Sequence, residues 1–96
     1  MQKLTKEETA ALLAQPNGPE KLAERAPAAF EAAWALFFED GSPAACAFLC
    51  RLAKRREYRE AMAGLLADDR APLLRALAAD APKLRKNAAR LSGELG

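Results

Sequence analysis

The sequence contains no histidine. That removes the side chain most often used as a general base at neutral pH, the commonest metal ligand, and every Ser-His or Cys-His nucleophile arrangement. Only two cysteines are present, Cys46 and Cys50, one helical turn apart, and no further Cys or His exists to complete a metal site around them. Their spacing fits core packing within a helix. Long apolar runs are missing as well, the longest being "AAWALFF" and "AACAFLC", well short of the roughly 18–20 residues a membrane span needs. The opening "MQKLTKEET" is charged where a secretory signal would be apolar, so the expected location is the cytoplasm, with both thiols reduced. Valine and isoleucine are absent and only five glycines occur, none in a phosphate-binding loop. No cofactor is expected, and no catalytic residue.

What is present is Ala and Leu, which together with the scarcity of β-branched residues give high helix propensity between the prolines. Ninety-six residues suffice for one small domain. Prolines and capping residues divide it. Thr5 with Glu8 three residues on forms a capping box for a helix over 6–14, ended by "QPNGP". Pro19 opens a short helix over 19–26, and a longer one follows over 28–39 until "EDGSP". Ser42 and Pro43 start a helix to about Ala53, and after "KRRE" another runs to about Ala67, with one bent helix as the alternative. Pro72 opens a helix to about Ala79, and Asp80 and Pro82 open the last, 82–95. The stripe Phe30, Trp34, Phe37 and Phe38 is the expected hydrophobic centre. Carboxylate pairs such as Glu7/Glu8, Glu39/Asp40 and Asp68/Asp69 fall at helix ends, where capping accounts for them.

After the first helix, six remain in three pairs. Phe30, Trp34, Phe37 and Phe38 fall on Tyr58, Met62, Leu65 and Leu66 at a shift of 28, and "YREAMAGLL" falls on "LRKNAARLS" at a shift of 26. This spacing predicts about three stacked helical hairpins, each covering the face its neighbour exposes. In the last pair Leu84, Ala88, Leu91 and Leu95 form one stripe and Lys83, Lys86 and Arg90 another.

The segment "APLLRALAADAPKLRKNAARLSGELG", residues 71–96, resembles a HEAT-type repeat of the armadillo/HEAT superfamily, with Pro72, Leu74 and Leu77 in a first helix, Asp80 in the turn, and Leu84, Arg85, Ala88, Ala89 and Gly93 in the second. The likeness covers about a quarter of the chain; the middle unit keeps only Arg59 and Ala63, and Ser92 stands where such repeats usually carry Leu. It implies an all-α solenoid segment, a single HEAT-like domain over 1–96, with Asp80 and Arg85 structural, Arg85 pairing with a turn acid of a neighbouring unit. A carboxylate at Asp80 would itself cap the last helix, worth on the order of 0.5–2 kcal/mol. A solenoid ordinarily ends in a polar cap, and none follows Gly96, so the chain is expected to be the N-terminal segment of a longer protein or to have its end covered by a second copy through the C-terminal helix.

Charge is uneven: residues 1–48 carry a net −3 and residues 49–96 a net +5. Arg55, Arg56, Arg59, Lys83, Lys86 and Arg90 are expected to share one surface as a basic band, partly neutralised by Glu57 and Glu60. Arg56, Arg59, Lys83 and Lys86 lie near helix N-termini, where a cation opposes the dipole and gains nothing locally. The expected role is a non-catalytic binding or scaffold module for an acidic partner, a protein or a nucleic-acid backbone. Two alternatives stand beside it: an accessory RNA-binding domain of a larger RNA-modifying enzyme such as a methyltransferase, and a small self-associating helical protein.

Overall fold

Each helix boundary has a local cause, and the computed structural model, which describes residues 3–95, shows seven of them. Helix α1 (Lys6–Leu13) starts with the capping box: Thr5 Oγ1 accepts from the Glu8 N–H and Glu8 Oε1 accepts from the Thr5 N–H, both at 3.1 Å. Asn17, in the left-handed region at φ 58°, turns the chain into α2 (Gly18–Ala23), with Pro19 in its first turn. Helix α3 (Ala26–Asp40) ends on Gly41 at φ 63°, whose N–H reaches Phe37 O at 3.1 Å. Ser42 caps α4 (Pro43–Leu52), its Oγ accepting from the Ala45 N–H at 3.2 Å. Arg55 is extended, so the two helices flanking it are separate and α5 spans Arg56–Asp68. Asp69 accepts from the Ala71 N–H at 2.9 Å at the start of α6 (Ala71–Leu77), and α7 covers Pro82–Leu95. Gly96, the last residue of the HEAT-like segment, lies outside the described residues.

Helix α4 is the centre of the molecule because it is apolar over a wide arc. Ala45, Cys46, Phe48, Leu49 and Leu52 are fully buried, and α1, α2, α3 and α7 all pack against it. Burying side chains of this size contributes about 1.5–3 kcal/mol each for the larger ones. Phe48 shares the interior with Phe37, and Phe30 and Trp34 of the α3 aromatic stripe pack at its edge. Of that stripe Phe37 is buried, whereas Phe30, Trp34 and Phe38 are half-buried. Phe30 meets the edge of Tyr58 at 5.4 Å between centroids, which ties α3 to α5.

The helices group in threes rather than in the three successive pairs read from the 28-residue shift. In α2–α4 the first and second helices lean on the third, and in α5–α7 the same is true. Helices α4 and α5, expected to form a hairpin, barely touch; α6 and α7 do pack as one. The two units meet through α3 against α6 and α4 against α7, while α1 packs only on the first unit, where the Leu4 N–H also reaches Ala28 O at 2.9 Å. A sequence echo accompanies this grouping. "LAERAP" (22–27) recurs as "LADDRAP" (66–72), and with Pro43 set on Pro82, the buried Ala45, Leu49 and Leu52 fall on the buried Leu84, Ala88 and Leu91. The resulting body measures 32 × 27 × 20 Å with a radius of gyration of 12.1 Å, near the roughly 12.5 Å of a compact chain of this length. Among the described residues no helix is long and apolar enough to cross a membrane.

Candidate functional site

Helix α7 is oriented by its apolar side, and that orientation presents its charges. Leu84, Ala88 and Leu91 are buried against the core, and Leu95 is half-buried beside them. The stripe expected to lie free at the end of the chain is therefore covered from within, by α4 and α6. The opposite side carries Lys83, Lys86 and Arg90, all exposed, and Arg85 is exposed on a flank between the two.

Asn87 sets the register of α7 on α4. Its Nδ2 donates to Pro43 O at 3.1 Å, and its own carbonyl accepts the Cys50 S–H at 3.2 Å. Lys83 and Asn87 line a shallow groove with Ser42, Pro43, Ala44 and Ala47, while the charge of Arg90 is felt at Cys50. Helices α4 and α7 thus run parallel, and the positive ends of both dipoles sit together beside Lys83.

The two thiols behave differently. Cys46 is pushed above the ordinary thiol range by its hydrogen bond with Cys50 and by burial; Cys50 is held below it, first by the Cys46 hydrogen bond and then by Arg90. Both are free and buried. Among the described residues no three His, Cys, Asp or Glu side chains converge as a metal set.

The six residues of the expected basic band do not form one patch. Lys83 lies by the N-terminus of α4, whereas Arg55 and Arg56 follow its C-terminus, about 15 Å away along a helix of this length. Arg55 donates to Ala23 O at 3.4 Å, Arg56 pairs with Glu60 at 3.0 Å, and Arg59 is half-buried. Lys86 and Arg90 stay with Lys83 along α7. Arg85, absent from the band as read from sequence, is exposed too but lies on a different flank of the helix. Elsewhere Lys3 pairs with Glu31 at 2.8 Å, and Lys6 with Glu39 at 2.7 Å and Asp40 at 3.2 Å. Arg51, just past the midpoint of the chain, pairs with Glu20 at 2.7 Å. Among the described residues, Lys83, Arg85, Lys86 and Arg90 have no such partner.

Of the repeat positions, Leu84 and Ala88 are buried while Arg85, Ala89 and Gly93 are exposed. Arg85 meets no turn acid among the described residues, and Asp80 is exposed with no hydrogen bond to the first turn of α7 there. Helix α7 begins one residue beyond Ala81, so Asp80 sits one place too early to cap it. No known protein family, curated protein or solved structure matches this chain.

Proposed function

We propose that this chain is a non-catalytic helical binding module whose α7 cations hold an acidic protein partner. The observation that carries this reading is the exposed cation stripe of α7: Lys83, Lys86 and Arg90 stand on the side of one packed helix opposite its buried Leu84, Ala88 and Leu91, with no ion-pair partner among the described residues. Preformed cations on a packed helix attract an acidic segment without paying for loop ordering. The armadillo/HEAT-type reading is supported by the stacking of α3 on α6 and α4 on α7, the contact pattern of a two-unit stack. A cytoplasmic setting, with Cys46 and Cys50 reduced, belongs to the same reading.

A phosphate-bearing partner, RNA above all, is the second reading. The paired helix N-termini beside Lys83 favour it, since backbone N–H groups and dipoles there suit an anion.

Titration with polyglutamate and with single-stranded RNA at low salt tests both. Binding that is lost in a Lys83→Glu, Lys86→Glu, Arg90→Glu triple variant and little changed in Arg56→Glu is the expected result. For RNA the salt slope should fall by roughly 0.7 per phosphate contact removed. Absence of binding to either polymer, or binding indifferent to the triple change, overturns the reading.

A further inference from the structure

Helix α6 has two unlike sides. Pro72 and Ala76 turn inward and, with Arg75 at the rim, line a groove with Phe37, Phe38 and Leu84; the exposed Arg75 guanidinium donates to Phe38 O at 3.1 Å. Across the helix stand Leu74 and Leu77, 62% and 37% exposed, with half-buried Leu73 beside them. From Leu73 the apolar surface continues into a cleft lined by Ala63, Leu66, Arg70, Ser92 and Leu95. Helix α1 covers the first unit, and among the described residues no element does this for the second.

We infer that the Leu74–Leu77 side of α6 is a self-association surface, on which a second copy of this chain docks about a two-fold axis with the two α6 helices antiparallel. Two observations select this occupant. A copy stacking head to tail would have to displace α1 from the first unit, whereas tail-to-tail docking displaces nothing and closes at two chains. Charge is self-complementary in that arrangement. Arg70 precedes α6 and Asp80 follows it, so an antiparallel crossing brings the Arg70 end of one copy to the Asp80 end of the other. Both are exposed and neither has an ion-pair partner among the described residues. The antiparallel crossing also opposes the two helix dipoles favourably. This surface is separate from the α7 cations, so each can fail without the other.

Sedimentation equilibrium from micromolar to millimolar concentration tests it. The chain should form a dimer, and Leu74→Glu should raise the dissociation constant roughly tenfold or more, with the helical circular dichroism unchanged because the side chain is exposed. Arg70→Asp and Asp80→Arg should each weaken the dimer, and the double exchange should restore it. A monomer at all concentrations, a dimer indifferent to Leu74→Glu, or a double exchange that restores nothing overturns the inference. A monomer that instead binds a synthetic amphipathic helix, and loses it on Leu74→Glu, assigns the face to a different protein.

Discussion

Asn87 bonds across the interface between the two units, its side-chain amide donating to Pro43 O at 3.1 Å from the middle of α7 to the first turn of α4. The bond is part-buried and joins residues far apart in sequence. Asn87→Ala removes the donor and leaves the register of the two helices to packing and the Cys50 S–H bond to the backbone carbonyl of residue 87. The expected cost is about 1–2 kcal/mol, measured as a lower urea midpoint with an unchanged slope.

Two glycines should rank by the reason each is needed. A Cβ at Gly41 would meet only Leu84 Cδ2 at 3.5 Å, so the penalty of Gly41→Ala is that of the left-handed backbone, about 1–2 kcal/mol, and Gly41→Asn should cost less. At Gly18 a Cβ would overlap the backbone carbonyl of Leu12 and lie 2.7 Å from that of Leu13. Backbone cannot swing aside as a side chain does. Gly18→Ala should therefore be the worse of the two, about 3 kcal/mol, and an order reversed in denaturant titrations would refute the comparison.

Thr9 is fully buried, and its Oγ1 has no hydrogen-bond partner among the described residues. Val has the same branched shape without the hydroxyl. Thr9→Val should raise stability by about 1 kcal/mol, seen as a higher melting temperature; a fall of that size would mean the hydroxyl is satisfied.

Cys46 is fully buried and Cys50 is 5% exposed. Neither should react with a thiol-titrating disulfide reagent at neutral pH while the fold is intact. On partial destabilisation Cys50 should react first, since it is the more exposed of the two and lies within reach of the Arg90 charge. Mass spectrometry of the labelled peptide decides which sulfur leads.

Lys6 joins α1 to the end of α3, and the carboxylates of Glu39, first, and Asp40 raise its pKa above the ordinary 10.5. A raised folded-state pKa means the stabilisation is fully present below the unfolded value and is lost as pH rises through the folded one. Lys6→Met should thus melt below the parent protein at neutral pH and converge with it in strong alkali. A gap that persists there would assign the loss to packing instead.

How far the sequence could be read depended on the kind of signal. Thr5, Ser42, Pro19, Pro43, Pro72 and Pro82 act within a few residues, and the helix starts they mark lie within a residue of where they were expected, although α2 ends three residues before the expected 26. Lys83, Lys86 and Arg90 were legible as a stripe because helical spacing alone puts them on one side. Arg55 and Arg56 were not separable from them, since nothing local says that α4 lies between. The echo of "LAERAP" in "LADDRAP" was the signal for the three-helix grouping, and the aromatic spacing, which is stronger but marks a half-buried surface, obscured it.

By itself, then, the sequence determined an all-helical chain, where most of its helices start and the Thr5 and Ser42 caps, because proline and capping side chains act on their own backbone neighbourhood. Only the tertiary structure decided that α4 is central, that the apolar stripe of α7 is covered from within and that Leu74 and Leu77 are left exposed. In a chain so rich in Ala and Leu many helix sides are equally apolar, and which of them meet depends on the simultaneous fit of helices distant in sequence.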